Sequence, residues 1–281
     1  LSANLRHNQN TQTKIINLSL PDISFNMNRI FPFKNLGKKG KESWFHKIGV
    51  SYSSNLRNDV SIADSLLFSK ESIKSFRNGI RHSIPISTSF KVLKYFTFSP
   101  RINYTERWYT NQISKSFNSL DSTIITDTLN KFTRAGEYNI TAGLNTKIYG
   151  LVQFKKGKIK AIRHVITPNL SFSYKPDFSN SQYGYYKNVQ SSTGNTEEYS
   201  IMQNGIFGSP SKGKQGNIIL NISNILEAKL NSKKDTINST KKIKIFENLN
   251  VGSSYNIFAD SLNLNDINLN ARTRFLDVID F

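Results

Sequence analysis

The sequence predicts an all-β fold: an antiparallel transmembrane β-barrel, partial here, with about eleven strands of a larger barrel. Three observations carry that prediction. Apolar and polar residues alternate with period two over long stretches, which puts one set on each face of a strand. Hydrophobic residues make up only 37% and mean hydropathy is -0.44, yet aromatics reach 12%, a composition suited to strands with one wet face and one apolar face. Connections alternate short and long from residue 91 onward, as in barrels with short turns at one rim and longer loops at the other.

In order, residues 1–7 read as a short strand, 8–11 as a polar turn, and 13–29 as an extended segment with Pro21 at a bend or an edge. Residues 30–41 form a loop that carries Phe31, Pro32 and Phe33 and ends in glycines and lysines. In 45–58, His46, Ile48, Val50 and Tyr52 share one face, and Lys47, Gly49, Ser51 and Ser53 the other. Residues 60–78 are a long loop with a helical turn near 71–76, and 79–90 a strand that contains Pro85. After a tight turn at 91–94, residues 95–109 set Phe96, Phe98, Ile102, Tyr104 and Trp108 against Thr97, Ser99, Arg101, Asn103, Thr105 and Arg107.

A long polar loop is expected at 111–135, a strand at 137–152 with Tyr138, Ile140, Leu144 and Ile148 on its apolar face, and a basic turn at 155–158. The strand from Ile162 is the most regular: Ile162, His164, Ile166, Pro168, Leu170, Phe172 and Tyr174 alternate with Arg163, Val165, Thr167, Asn169, Ser171 and Ser173. A loop at 175–198 precedes strands at 199–207 and 216–230, joined by a short turn at 208–215. A long loop at 231–240 leads to strands at 242–259 and 262–281. Several strands exceed the roughly 9–11 residues that cross a bilayer, so their ends stand clear of it.

Composition also excludes. With no cysteine, neither a disulfide nor a thiolate metal site forms within the chain. No stretch approaches the roughly 18 apolar residues of a membrane helix. The four histidines lack metal-pair spacing, Glu197 and Glu198 read as a solvated loop pair, and no phosphate loop, nucleophile elbow or zinc pattern occurs. No catalysis, cofactor or metal is expected. The net charge of +19 reflects either lysine-rich, soluble turns or attraction to a polyanion.

Wet-face cations supply the candidate site: Arg101, Arg107, Lys147, Arg163, Lys229, Arg272 and Arg274. They either grip phosphate with paired bonds or form a salt-bridge web with Glu106, Glu227 and Asp260. Trp44 and Phe45, Trp108 and Tyr109, and Tyr185 and Tyr186 suit interface girdles. Pro85, Pro100 and Pro168 each remove a ladder hydrogen bond, which either relieves twist as a bulge or weakens strand pairing.

Certain motifs go further. Arg163 and His164 lead to Pro168 and then to Tyr174, Lys175, Pro176, Asp177 and Phe178. Tyr149 to Phe154 comes before them, and Leu18 to Pro21 stand ahead of Phe31 to Phe33. Tyr183 to Tyr186 and Ser254 to Ser261 complete the set. In these, over nearly all its length, the chain resembles the outer-membrane lipopolysaccharide-assembly family LptD (OstA), in the form found in Bacteroidota. The resemblance implies a very large barrel with an LptE-like lipoprotein plug and a periplasmic LptA-like bridge that delivers lipopolysaccharide. The acyl chains pass into the outer-membrane lipid and the sugars through the lumen, so that lipopolysaccharide enters the outer leaflet. Residues 1–281 are then one segment of a single barrel domain, without its N-terminal periplasmic domain or its closing strands. The wet-face cations would meet the headgroup, and Pro21, with Pro85 and Pro168, would mark where strands part. Another outer-membrane barrel, such as a porin or substrate-specific transporter, fits the same alternation. A soluble nucleic-acid binder fits less well, because it needs aromatics beside cations on one face.

Overall fold

The computed structural model describes residues 1–37, 43–190, 194–231, 240–275 and 279–280. In chain order the strands are β1 (Ser2–Asn10), β2 (Ile15–Ile30), β3 (Gly49–Ala63), β4 (Arg77–Ser87), β5 (Phe90–Val92) and β6 (Phe96–Tyr109). Then come β7 (Gln112–Asn118), β8 (Thr123–Leu129), β9 (Thr133–Asn145), β10 (Ile148–Gln153), β11 (Ile159–Lys175) and β12 (Tyr186–Gln190). The last are β13 (Thr196–Ser200), β14 (Gln215–Asn231), β15 (Thr240–Asn256), β16 (Asn268–Arg272), β17 (Arg274–Phe275) and β18 (Ile279–Asp280). A single short α-helix, α1 (Lys70–Ser75), occurs among the described residues, where a helical turn is expected, beside three 3-10 turns. No helix among them is long and apolar enough to cross a membrane.

The main sheet has twelve strands in the order β1-β2-β3-β4-β6-β9-β11-β14-β15-β16, with β10 also on β11 and β5 on β6. It is all-β and antiparallel as expected, and it is open, ending at β1 and β16. The chain divides into two compact units. One comprises Leu1–Ser87, Ile102–Asn139 and Lys175–Lys214, the other Thr88–Arg101, Ile140–Tyr174 and Gln215–Phe281.

Why β2 bends is written in its own pattern. Its apolar residues are Ile16, Leu18 and Leu20, then Ile23, Phe25 and Met27, so the phase slips by one at Pro21. The register with β3 shifts between Ser19 and Asp22, and that with β1 shifts between Asn4 and Arg6. One extra residue at Pro21 therefore keeps these six apolar side chains on a single face. The carbonyl of Leu20, left by the bulge, accepts from Asn58 Nδ2 at 3.0 Å.

Pro85 and Pro168 behave differently: the pairing of β4 with β3, and of β11 with β9 and β10, keeps its register without the expected bulge. On β4 the ladder skips from Ile86 with Val50 to Ser83 with Ser53, leaving Pro85 unpaired without changing register. On β11 the pairing passes from Ile166 with Ile148 to Asn169 with Asn145, also unshifted. The single strand expected at 137–152 is interrupted there into β9 and β10, because Pro168 has no N–H to donate. Its carbonyl still accepts from Thr146 N at 3.3 Å.

The polar connections hold the structure that the sequence hides. Residues 111–135 contain the hairpin β7–β8, and the hairpin β12–β13 begins within 175–198 and runs on to Ser200. In the first unit these pack a small core of Tyr109, Ile113, Ala135, Val189, Tyr199, Ile201 and Met202. Residues 199–207 are not the expected strand. Ile201 and Met202 are buried side by side, which strand alternation forbids, and backbone turns close from Met202 to Gly205 and from Gly205 to Gly208. That false strand shifts the expected rhythm: 208–215 ends a long excursion rather than forming a short turn between strands. The expected loop at 231–240 lies mostly outside the described residues, as do part of the glycine-lysine loop and part of the end of the strand expected at 262–281.

Candidate functional site

In the first unit, polar side chains of successive strands open onto one basin of about 690 Å³, lined by Arg6, Asp22, Asn55, Arg81, Arg107 and Glu137 among others. Its floor is held by short polar bonds. Asn55 Nδ2 donates to Asp22 Oδ1 at 2.7 Å and to Ser24 Oγ at 2.8 Å, and Arg6 stands 3.6 Å from Asp22. Arg57 pairs with Asp59 at 2.9 Å.

One rim of the basin is a folded segment, residues 205–214, latched to the strands. Arg107 Nη2 meets Glu137 Oε1 at 2.6 Å, and Arg107 Nε donates to the Phe207 carbonyl at 3.0 Å. Glu137 Oε2 accepts from Ser211 N at 3.0 Å. The guanidinium of Arg81 lies over the Phe207 ring at 5.2 Å. Arg107 is buried, and its Nη1 has no partner among the described residues. A second latch lies just past β11. Asp177 accepts from Ser179 N at 2.9 Å, from Ser179 Oγ at 2.8 Å and from Gly213 N at 2.8 Å. The Ser179 N–H above all, with the Ser179 hydroxyl and the Gly213 N–H, holds the Asp177 carboxyl below its usual range. Its folded value is depressed, so this stabilisation is present above the ordinary carboxylate range and fades as pH falls below it. Phe178, fully buried, packs against Tyr138 and Tyr183 with ring centroids at 5.7 and 5.1 Å.

The second unit holds a basin of about 630 Å³ lined by Asn221, Asn250, Asn265, Asp266, Asn268 and Asn270. Amides that donate and accept suit neutral hydroxyls more than phosphate. None of these asparagines is anticipated, although Asn263, Asn265, Asn268 and Asn270 alternate visibly with Leu264, Ile267 and Leu269.

The expected cations are spread out. Arg107 is committed to the latch, and the other described candidates belong to the second unit. Arg101 and Lys147 are exposed and form no ion pair among the described residues. Arg163 pairs with Glu227 at 2.6 Å, as the salt-bridge alternative foresees, and Arg272 stands 3.8 Å from Glu247. Lys229 is half-buried opposite Lys242. Arg274 is in β17, but its side chain lies outside the described residues. Glu106 departs from expectation. It sits with Tyr104 and Trp108, accepting from each at 2.7 Å, rather than in a wet-face web. As an even-numbered residue of β6 it must share their face.

Aromatic pairs divide for the same reason. Trp108 is exposed, whereas its neighbour Tyr109 is 1% exposed in the core and donates its hydroxyl to the Gly208 carbonyl at 2.7 Å. Tyr185 packs on that core and Tyr186 bonds the Pro210 carbonyl, so of these four rings Trp108 alone is exposed. His46 leaves its expected strand for a 3-10 turn, where Nε2 lies 2.7 Å from the Leu36 carbonyl. His82 and His164 are bonded to Tyr52 and Asn224. Among the described residues no cluster of three or more His, Asp or Glu side chains could hold a metal ion.

The opposite face of the strands is apolar and uncovered. Leu170 and Phe172 of β11, Ile218 and Leu220 of β14, and Leu269 of β16 are all exposed. Phe25 of β2 and Trp108 of β6 are exposed in the first unit. A family model described as LptD protein matches residues 1–281. No curated protein and no solved structure matches the chain.

Proposed function

Because the chain belongs to the LptD protein family, whose members serve lipopolysaccharide transport or assembly at the outer membrane and are not enzymes, we propose that its sheet is barrel wall in a translocon. That translocon inserts lipopolysaccharide into the outer leaflet. The observation that carries this reading is the exposed apolar face, with Leu170, Phe172, Ile218 and Leu220 alternating with polar residues. A soluble protein rarely leaves so continuous an apolar surface in water, whereas lipid satisfies it. The polar face then borders the lumen, with asparagines for sugar hydroxyls and cations for phosphate.

In this reading residues 1–281 are a segment of one outer-membrane barrel domain. The open edges at β1 and β16 pair with further strands, since lipid leaves no alternative partner for their backbone. The Pro21 bulge interrupts the ladders on both sides of β2 and weakens pairing where lipid would leave sideways. Pro85 and Pro168 leave single gaps without a shift and are the lesser candidates. An LptE-like lipoprotein fills the lumen and an LptA-like bridge supplies the lipid.

Arg101 and Lys147 test the lumen role, being exposed and unpaired among the described residues. Reversing both, as Arg101→Glu with Lys147→Glu in the full-length protein, is expected to leave outer-membrane insertion and heat-modifiable mobility intact. Arrival of new lipopolysaccharide at the cell surface slows about tenfold, the order expected when charged hydrogen bonds are lost. An unchanged rate of arrival would remove these two residues from the path.

A further inference from the structure

One ion pair stands on the apolar side of the sheet, where the transport path has no use for it. Arg134 Nε lies 2.9 Å from Glu106 Oε1. Glu106 also accepts from the Tyr104 hydroxyl and the Trp108 indole N–H, so its charge is answered within the protein. Its side chain is 13% exposed, while that of Arg134 is 67% exposed. Trp108 meets Phe132 edge to face at 6.1 Å. Beside this ladder, Leu56, Ile80, Trp108 and Phe132 line an apolar groove of about 190 Å³. Leu56 and Ile80 are direct cross-strand partners and form its floor.

These features fix a depth as well as a shape. An ion pair is costly in hydrocarbon and tolerable at headgroup level, which is also where tryptophan sits. The groove thus begins at the headgroups and runs toward the acyl region. It opens at the rim that carries 110–132 and 176–214, the two longest connections between strands of the main sheet, and outer-membrane barrels turn their longer loops outward.

We propose that this groove and Arg134 bind one molecule of the phosphorylated, acylated glycolipid of the outer leaflet as a resident of the wall. A segment of one acyl chain lies between Leu56, Ile80, Trp108 and Phe132. A phosphate oxygen accepts from the exposed guanidinium of Arg134, a charge-assisted bond of the stronger class. The site rests on the membrane-spanning reading above but is separate from the conduit, and its occupant does not turn over with transport.

The test places a photo-crosslinking residue at Ile80 in the full-length protein in its own outer membrane. Lipopolysaccharide adducts are expected at Ile80, persisting after lipopolysaccharide export is stopped. They fall about tenfold when Arg134→Gln is added, the loss expected for a charged hydrogen bond. Delivery of lipopolysaccharide to the surface is unchanged by Arg134→Gln. Adducts of glycerophospholipid instead, or adducts indifferent to Arg134→Gln, overturn the site and leave the membrane-wall reading standing. Absence of any lipid adduct at Ile80 and at the apolar-face control Leu170 alike overturns both.

Discussion

Replacing Glu137 with alanine is expected to release residues 205–214 from the rim of the polar basin. Glu137 is the hub of the latch, bonded to Arg107 on one oxygen and to Ser211 on the other. Its loss leaves the Arg107 guanidinium buried with only the Phe207 carbonyl as partner. Breaking one side of a buried ion pair costs about 3–5 kcal/mol, because the remaining charge keeps its desolvation penalty without compensation. Lys212 and Lys214 make the released segment a trypsin target. Cleavage follows the open population when closing is fast, so it should accelerate at least about a hundredfold. Arg107→Ala should behave similarly. Exchanging both partners, as Arg107→Met with Glu137→Leu, should restore most of the protection, since an apolar pair leaves no orphaned charge. Unaltered cleavage in Glu137→Ala would mean that the segment is held elsewhere, with the Asp177 and Gly213 contact as the next suspect.

Tyr109→Ala is expected to unfold the loop core of the first unit while sparing the strands. The ring is wedged between two glycines. A Cβ on Gly79 would meet it at 2.9 Å, and one on Gly205 at 2.7 Å. Removing a fully buried aromatic ring costs about 3–5 kcal/mol, from lost transfer energy and the cavity left behind. The Gly208 carbonyl also loses its donor. Hydrogen exchange should accelerate through β7, β12 and β13, with little change in β2 and β3. Tyr109→Phe keeps the ring and should cost only about 1–3 kcal/mol, the penalty of the unsatisfied carbonyl. Equal exchange in Tyr109→Ala and wild type would show that the hairpins do not depend on this core.

Much of the sheet is legible in the sequence because its alternation is undisturbed. Asn145 faces Asn169 and Leu144 faces Leu170 across β9 and β11, as period two requires. The loop core is a different case. Tyr109, Ala135 and Ile201 come together from distant segments, and no local pattern announces that. The hairpins are short and mostly polar, so they resemble loops. Segment 199–207 misleads because Tyr199, Ile201 and Phe207 look like a strand face, while Gly205 and Gly208 are the better guide.

The site divides in the same way. Cations on the wet face can be read from alternation, but their partners cannot. Arg107 and Glu137 are on separate strands, and only the fold brings them within a hydrogen bond. The Pro21 phase slip was available in the pattern of Ile16 to Met27, and a parity count finds it. Residues 175–198 read as a loop, yet within them Asp177 and Phe178 anchor the returning excursion.

The central claim is that the polar face borders a lipopolysaccharide path and the apolar face borders lipid. It is tested most directly by photo-crosslinking residues at Asn145 and Asn169, against Leu144 and Leu170, in the full-length protein in its own cells. The account predicts lipopolysaccharide adducts at the two asparagines that disappear when export is blocked, with lipid contacts at the two leucines that do not. A properly inserted protein that gives no lipopolysaccharide adduct at either asparagine would contradict it and favour a porin or a substrate-specific transporter.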